Sequence, residues 1–523
     1  MDSIQLLFQG FASVFQPLCL VLMLFGVVFG IVFGSIPGLS AAMAVALFLP
    51  VTFSMEPMVG LNMLVAIYIG GISGGLISAI LLKIPGTPSS IATCFDGAPM
   101  AEKGQAGKAL GMGIMVSFIG GLLSFILLTF VSPTLAGVAI KFGPMEYFGV
   151  TFFAITMIAT VSSGNLVKGL LSGMSGLALA SIGLAPIDGI PRFTFGSDQL
   201  ISGFDTLPTL IGIFAIAEVL SLAESVLVMK GIKKAEMAPM RGIGFKLAEL
   251  LPEKWNILRS SLIGVGIGIL PGIGGSTSGI LSYIAAKKSS KNPEKFGQGC
   301  VSGLVASETA NNATIGGAMI PLLSLGIPGD GVTAMLLGGF MIHGLQPGPL
   351  LFTKAPNIVY SIFAACIIAN VMMIVVEFLG LRGFVKLLSI PKNILMPIIL
   401  VLCTVGAFAT NSNMFDAKSI IIFGILGYVW SKFEIPVAPF ILSFILGKQL
   451  ELYLRRGLML TKGDFFAFFG SPIAAVFMIV AIVVVVWTFV KAFRGPKKAK
   501  DVKAKNTEAN GTEAKVVEKG EVV

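Results

Sequence analysis

Four segments of this sequence combine a Pro-Gly pair with hydroxyl side chains, and each interrupts an apolar run. Proline removes a backbone donor and glycine permits a turn, so each pair is expected to break a helix. The freed N–H groups of the following half-helix suit an anion, and freed carbonyl groups suit a cation. The residues assigned to this anion site are Pro37, Gly38, Ser40, Pro85, Gly86, Thr87, Ser89, Ser90, Pro271, Gly272, Ser276, Thr277, Pro328, Gly329 and Thr333. The alternative is that these segments are ordinary turns between helices.

A second polar group lies in the apolar second half of the chain. Glu308, Asn311 and Asn312 are an acid and two amides within one short stretch, and such groups are costly in a membrane unless they are used or paired. Glu308 could bind a proton, or could hold Na⁺ together with the two amides. Asp330, beside the last Pro-Gly pair, is assigned to the same coupling-ion site. A polar network that only packs helices is the competing interpretation.

The remaining polar candidates indicate no catalytic chemistry. His343 is the only histidine, so neither a zinc site nor a catalytic triad is expected, and a role as a loop residue is favoured over a proton relay. Lys83 could take part in the site or extend its charge to the membrane interface. The sequence has no phosphate-binding loop, and its five cysteines are isolated. We therefore predict a protein that is not an enzyme, with no cofactor and no certain metal site.

The elements that carry these residues must lie in a bilayer. Hydrophobic residues make up 55% of the 523 residues and charged residues only 12%, against about 25% in soluble domains. No basic stripe interleaved with aromatic residues indicates nucleic-acid binding. Apolar runs near the length of a membrane span recur along the chain. The candidate spans are 17–34, 40–53, 59–82, 109–131, 147–162, 166–184, 206–229, 255–271, 274–286, 300–327, 357–381, 392–409, 417–447 and 465–490.

The two halves of the chain form an internal repeat. Pro37-Gly38 matches Pro271-Gly272, and Ile84-Pro85-Gly86 matches Ile327-Pro328-Gly329. A row of glycines at every fourth position precedes the first break of each half, as expected where helix backbones approach closely. The predicted units are an N-terminal segment 1–16, a first membrane repeat 17–229, a basic cytoplasmic linker 230–254, a second repeat 255–490 and a disordered charged tail 491–523.

The charges of the connecting loops predict that the two copies have opposite orientation. The loop before the second Pro-Gly pair has four lysines in the second copy (287–295) and none in the first (54–58). The next loop is basic in the first copy (101–108) and has no lysine or arginine in the second (343–350). If positive charge marks the cytoplasm, the repeats are inverted, as in secondary transporters. The basic loop 448–464 falls on the outer side by this count. The predicted fold is an all-α polytopic membrane protein with two inverted repeats, broken helices and Pro-Gly re-entrant loops near the membrane middle.

The sequence resembles the large membrane subunit of the bacterial tripartite tricarboxylate transporters, the TctA family. The matching segments span roughly residues 15–490 and are Gly34–Leu39, Lys83–Ser90, Asp96–Met100, Pro191–Gly196, Pro271–Gly275, Glu308–Asn312, Ile327–Gly329, Phe415-Asp416 and Gly424–Tyr428. The resemblance implies a multi-pass protein of the bacterial inner membrane that moves a carboxylate, driven by an H⁺ or Na⁺ gradient. It also implies a small membrane subunit and a periplasmic solute-binding receptor as partners, and a homo-oligomer is possible. The alternative is a scaffold that docks the receptor without a transport path of its own.

Overall fold

The computed structural model describes residues 3–161, 166–228, 244–387 and 392–493. The predicted linker residues 230–243 and the tail from residue 494 lie outside these ranges. Within them the chain is almost entirely helical, as predicted. The α-helices are α1 (Ser3–Val14), α2 (Pro17–Ser35), α3 (Ala41–Thr52), α4 (Pro57–Leu81), α5 (Thr93–Met100), α6 (Ala106–Ala139), α7 (Pro144–Val161), α8 (Leu166–Ala180), α9 (Thr206–Ile211), α10 (Ala217–Val228), α11 (Lys254–Ile269), α12 (Gly274–Ser289), α13 (Val301–Leu325), α14 (Gly331–Ile342), α15 (Leu351–Lys354), α16 (Pro356–Leu387), α17 (Lys392–Asn411), α18 (Met414–Lys432), α19 (Val437–Leu460) and α20 (Pro472–Phe493).

Short elements complete the described chain. The 3₁₀ turns are Pro88–Ser90, Asp198–Leu200, Leu247–Glu253, Pro293–Lys295 and Phe466–Gly470, and the π-helical turns are Ala101–Gln105 and Gly212–Ile216. One antiparallel hairpin pairs β1 (Gly183–Leu184) with β2 (Pro191–Arg192). The N-terminal segment 1–16 contains α1, whose Gly10 packs directly on the backbone of Tyr360 in α16.

Eight helical stretches of the described chain are long and apolar enough to cross a membrane. They are Pro17–Ser35, Pro57–Leu81, Thr93–Ala139, Thr206–Glu224, Pro356–Lys386, Met414–Lys432, Val437–Leu460 and Pro472–Val490. The multi-pass prediction is therefore supported. The single predicted span 417–447 is wrong, because α18 ends at Lys432 and α19 begins at Val437. Pro436 precedes the first residue of α19, and a proline there starts a new helix more readily than it continues an old one.

Helix α2 ends at Ser35 and α3 begins at Ala41, so the first Pro-Gly pair does break a helix. Helices α11 and α12 are separated in the same way around Pro271-Gly272. Gly38 has a φ of 88° and Gly272 a φ of 78°, a region that side chains other than glycine rarely adopt. Helix α13 ends at Leu325 and is followed by Gly326, which is also left-handed with a φ of 73°, before Ile327-Pro328-Gly329 and α14.

The glycine rows hold the broken helices against their unbroken neighbours. A Cβ atom at Gly30 or Gly34 of α2 would overlap the carbonyl oxygen of Ile67 or Gly71 in α4. In the second half, a Cβ at Gly264 would lie 2.5 Å from the carbonyl oxygen of Ala310 in α13. Each row therefore lets two backbones touch, as small residues do in membrane helix pairs.

The same packing continues into the later Pro-Gly pairs. A Cβ at Gly86 would overlap the carbonyl oxygen of Gly34, and one at Gly329 would lie 2.5 Å from the carbonyl oxygen of Gly268. The Gly272 N–H also donates to the carbonyl oxygen of Gly329 over 2.7 Å, joining the two breaks of the second half. Each half therefore packs its second break onto the end of the helix that precedes its first.

The connecting loops of the two halves meet in a crossed pattern. Lys103 donates to the carbonyl oxygen of Gln298 over 2.6 Å, which joins the basic first-half loop to the basic second-half loop. Asp96 Oδ1 accepts the Gly297 N–H in the same region, over 2.9 Å. On a different part of the molecule, a Cβ at Gly60, near the start of α4, would lie 2.9 Å from His343 Nε2, so the helix that follows the non-basic first-half loop lies beside the non-basic second-half loop.

Gly34→Ala should destabilise the fold, because its methyl group has no space against the α4 backbone. We expect a loss of about 1–3 kcal/mol, as for other overpacked sites, measured as a lower thermal unfolding midpoint of the detergent-solubilised protein. Gly137→Ala is the matched control, since nothing lies within 4 Å of its Cβ position in α6. It should be neutral or stabilising. Equal melting of the two variants would refute the close-packing role of Gly34.

Candidate functional site

All four Pro-Gly segments contribute to one cavity of about 790 Å³. The predicted site residues that line it are Gly38, Ser40, Pro85, Gly86, Thr87, Ser89, Gly272, Ser276 and Asp330. Ile72, Phe214 and Val437 are among its apolar walls. No lysine, arginine or histidine of the described chain lines it. The cavity is thus a mainly apolar space into which hydroxyl groups and broken backbone project.

The other predicted residues lie behind this lining. They are Pro37, Ser90, Pro271, Thr277, Pro328, Gly329, Thr333, Glu308, Asn311 and Asn312, none of which is among the cavity-lining residues. Most of them belong to the loops whose backbone they support, whereas Glu308, Asn311 and Asn312 form a separate polar cluster. The structure therefore brings the two predicted groups close together without merging them.

The first-half hydroxyls are held by local backbone geometry. Ser40 is the N-cap of α3, and its Oγ accepts the Met43 N–H over 3.2 Å. The Thr87 and Ser89 hydroxyls lie 2.9 Å apart, and Ser90 Oγ accepts the Thr87 N–H over 3.3 Å. These bonds fix side chains on the cavity wall at the starts of two helical segments, where backbone donors are free.

The second-half loop carries an acid at the equivalent position. Asp330 caps α14, with its Oδ1 accepting the Thr333 N–H over 2.8 Å, and the Asp330 N–H donates to Thr333 Oγ1 over 2.8 Å. Tyr68 of α4 donates its hydroxyl hydrogen to Asp330 Oδ2 over 2.6 Å. Asp330 therefore combines a structural capping role with exposure of its loop to the cavity.

Glu308 is fully buried in α13 and lies within a network of hydroxyl and amide groups. Thr93 Oγ1 donates to Glu308 Oε1, and Ser117 Oγ donates to Oε2 over 3.0 Å. Asn312 Nδ2 donates to Ser117 Oγ over 2.8 Å and lies 3.3 Å from Glu308 Oε2. The described chain offers Glu308 no ion-pair partner. The cluster can therefore hold a proton, or a cation among its oxygen atoms.

Asn311 connects this cluster to the cavity wall. A Cβ at Gly275 would lie 2.8 Å from Asn311 Oδ1 and 2.9 Å from the Cβ of Ser89, and both Gly275 and Ser89 line the cavity. Neither the Oδ1 nor the Nδ2 atom of Asn311 makes a hydrogen bond of normal geometry among the described residues, although the amide is near enough to Glu308 to stabilise its carboxylate. A buried amide without partners is costly, so this position is suited to a ligand or ion.

Sequence reasoning missed three residues of this region. Tyr68 lies in the long apolar helix α4, and its local sequence gives no sign of a polar role. Glu218 of α10 lines the cavity. Glu377 of α16 is fully buried, with Ser73 donating to its Oε2 over 3.0 Å and no partner for Oε1 among the described residues. Both acids interrupt apolar runs, the same signal that identified Glu308, and could have been found by it.

Lys83 and His343 lie apart from the cavity lining. Lys83 pairs with Glu102 over 3.2 Å, with both side chains mostly exposed, so it serves a surface contact. His343 follows α14 and is half-buried, and this burial lowers its pKa. The expected loop position of His343 is confirmed.

These features define a polytopic membrane protein with a mainly apolar cavity into which hydroxyl groups and broken helix ends project. A family model described as "Tripartite tricarboxylate transporter TctA family" matches residues 20–442. An uncharacterised 52.8 kDa protein in the TAR-I ttuC′ 3′ region of Agrobacterium vitis is 34% identical over 497 residues, which are 95% of this chain and 98% of the relative. An uncharacterised protein in the TAR-II ttuC′ 3′ region of the same organism is 37% identical over 231 residues, 44% of this chain and 96% of the relative. No solved structure matches.

The chain belongs to the tripartite tricarboxylate transporter TctA family. The resemblance stated from the sequence is therefore confirmed.

Cysteine labelling should separate lining from supporting positions. In a background with Cys94 and Cys300 replaced by serine, Ser40→Cys and Ser276→Cys should react with a water-soluble maleimide. Ser90→Cys should stay unreactive, because Ser90 is fully buried behind the wall. The measurement is labelling of the detergent-solubilised protein by mass shift. Rapid labelling of Ser90→Cys, at the rate of Ser40→Cys, would contradict this geometry.

Proposed function

We propose that this chain is the translocating subunit of a tripartite transporter that imports a carboxylate, driven by an ion gradient. The observation that carries the proposal is the convergence of four broken-helix segments, distant in sequence, on one cavity. Unwound backbone inside a bilayer is tolerated where protein or a water-filled space satisfies it. Hydroxyl groups and helix starts then supply donors to a carboxylate without a full positive charge, which lets the anion leave again.

Inverted repeats are part of this proposal. Gly34 packs on Gly71 as Gly268 packs on Thr314, and these residues occupy equivalent positions relative to the Pro-Gly pairs. The bond from Thr87 to Ser90 likewise matches that from Asp330 to Thr333. The crossed loop contacts, basic with basic and non-basic with non-basic, are what two copies of opposite orientation would give. A re-entrant path for the Pro-Gly loops follows from the same arrangement.

One matched pair of residues has unequal surroundings, which supports alternating access. Ile84 is 45% exposed, whereas its counterpart Ile327 is 3% exposed. Ile327 packs into a cluster with Val150, Ile155 and Leu446 from α7 and α19. In an inverted repeat the two loops exchange environments when the protein opens to the other side. The described conformation is then one with the first-half loop open and the second-half loop closed, as an elevator-like or rocking cycle would require.

Coupling is assigned to the Glu308 cluster, together with Asn311, Asn312 and Asp330. The Asn311 amide lies between Glu308 and the cavity wall. A cation bound there would therefore affect the Pro-Gly loops that are proposed to bind the substrate. Either H⁺ or Na⁺ fits oxygen and amide ligands of this kind. The proposed setting is the bacterial inner membrane, with a small membrane subunit and a periplasmic receptor as partners.

Loop hydroxyls should contribute to carboxylate binding. Thr87→Ala and Ser89→Ala should each weaken transport by roughly 1.5–3 kcal/mol, the range for a hydrogen bond to a charged group. The measurement is concentration-dependent uptake of labelled carboxylates by vesicles that contain all three components. Ser54→Ala is the control, since Ser54 is exposed in a loop away from the cavity. Unchanged uptake in both loop variants would exclude these hydroxyls from the site.

Glu308→Gln should abolish ion-driven accumulation while the protein still folds and docks its receptor. Glutamine keeps the size of the side chain and its place in the hydroxyl network, but it carries no exchangeable acidic proton or charge. Accumulation against a gradient, compared with exchange at equilibrium, is the measurement. Normal accumulation in the variant would remove Glu308 from coupling.

The scaffold alternative predicts a different result in the same vesicles. A scaffold needs neither the cavity nor the buried polar cluster. On that alternative, Gly86→Val and Gly329→Val would leave uptake intact as long as the transporter still assembles. On the transport proposal both variants block uptake, because a side chain at either position meets backbone. Receptor binding to the membranes is measured in parallel to verify assembly.

A further inference from the structure

A second large cavity lies beside the second-half Pro-Gly loop and has the opposite electrostatic character. Its volume is about 750 Å³, within the range of small-molecule sites. Its polar and aromatic lining residues include Tyr147, Gln346, Lys354, Gln449, Tyr453 and Arg456. Among the described residues no acidic side chain lines it. The central cavity, in contrast, is lined by Asp330 and Glu218 and by no described base.

The two cavities lie near opposite ends of one membrane helix. Val437, at the start of α19, lines the central cavity, and Arg456, near the end of α19, lines the second. A rise of 1.5 Å per residue separates them by roughly 28 Å along the helix. The second cavity therefore lies well away from the central cavity along the direction of α19.

A short segment of chain separates the cavities. Leu325 lines the second cavity and Asp330 lines the central one. The Gly348 N–H donates to the carbonyl oxygen of Leu323 over 3.1 Å, which fixes the wall of the second cavity to the end of α13. The Pro-Gly loop between them is therefore the barrier that an ion passing from one cavity to the other would meet.

The two bases of the second cavity are available to a ligand. Neither Lys354 nor Arg456 forms an ion pair within the described ranges, and both are exposed. The adjacent Arg455 differs, because it pairs with Glu451 over 2.8 Å and with Asp188 over 3.2 Å. Glu451 also accepts two hydrogen bonds from Arg192, which raise the pKa of Arg192. The local acids are thus occupied by Arg192 and Arg455, and Arg456 keeps its charge for the cavity.

Glu146 lies close to this cavity but does not line it. Its Oε2 accepts the Gly143 N–H over 2.8 Å, and its Oε1 accepts from Ser471 over 2.5 Å. The rings of Tyr147 and Tyr453 stack with centroids 4.9 Å apart, which makes a rigid wall with hydroxyl groups at its edge. The cavity therefore combines two free cations, amide groups and an aromatic wall.

We propose that this second cavity is an outer binding site for polycarboxylate anions, where substrate is captured before it crosses the Pro-Gly loop. The proposal rests on the transport function proposed above. The site is assigned to the outer side because residues 344–350 of its lining belong to a loop without lysine or arginine, whereas the first-half counterpart of that loop, 101–108, is basic. Two cations at the mouth of a low-dielectric cavity raise the local concentration of an anion and its rate of capture. The central cavity, without bases, then holds the anion weakly enough to release it.

The test uses the full-length chain in neutral-lipid nanodiscs, with acetate, succinate and citrate as probes of increasing charge. Binding is measured by equilibrium dialysis at low and high salt. Lys354→Gln/Arg456→Gln should weaken citrate binding about tenfold or more, should affect succinate less and acetate least, and should remove most of the salt dependence. Lys448→Gln is the matched control, because it removes a charge from α19, the helix that also carries Arg456, but Lys448 does not line the cavity. The Lys448→Gln variant should bind citrate with the affinity of the unmodified chain.

Two results would overturn the proposal. One is a double variant that binds citrate with the affinity and salt dependence of Lys448→Gln, and the other is an unmodified chain that binds none of the probes. Uptake by vesicles with all three components separates this from the proposed function. If the outer site is real and transport also occurs, the double variant should raise the half-saturating citrate concentration and keep the maximal rate. Binding lost in the double variant, with no uptake by any chain, would support the outer site and refute the transport function.

Discussion

A helix that breaks in apolar surroundings leaves backbone N–H and carbonyl groups that those surroundings cannot satisfy. The architecture of this protein follows from that constraint, because its broken segments are satisfied by one another and by side chains. Gly272 bonds to the backbone of Gly329, and Ser40 and Asp330 cap the helices that follow their breaks. The glycine rows make this possible, since they let the backbone of each broken helix lie against its neighbour without intervening side chains.

The same constraint governs the buried polar side chains. Glu308 has no counter-charge in the described chain and is held by the hydroxyls of Thr93 and Ser117, which come from two other helices. Glu377 is held similarly by Ser73. A buried acid supported by neutral donors can change its protonation or accept a cation without breaking an ion pair. Such groups are costly for packing alone, and they lie where loop movement and ion binding could influence each other.

The two cavities differ in the sign of the charges that line them. Lys354 and Arg456 face the second cavity, whereas Asp330 and Glu218 face the central one. On the two proposals above, an anion is attracted strongly at the first cavity and held by hydroxyls and helix starts at the other. Such a separation in space would meet the opposite demands that capture and passage make on affinity. The segment between Leu325 and Asp330 stands at the boundary, with Ile327 buried against the neighbouring helices.

The sequence alone determined where helices would be interrupted and which polar side chains would be costly to place in lipid. Proline and glycine act through local geometry, so the breaks at Gly38 and Gly272 were predictable, and intramembrane cost identified Glu308. The helix boundary near Pro436 was missed, although Lys432, Glu434 and Pro436 interrupt the apolar sequence there. The sequence already predicted one site for the Pro-Gly loops, but only the tertiary structure decided which of their residues line the cavity and that Tyr68 meets Asp330, since these contacts join residues hundreds of positions apart. Long-range packing fixes such contacts, and no local pattern encodes them.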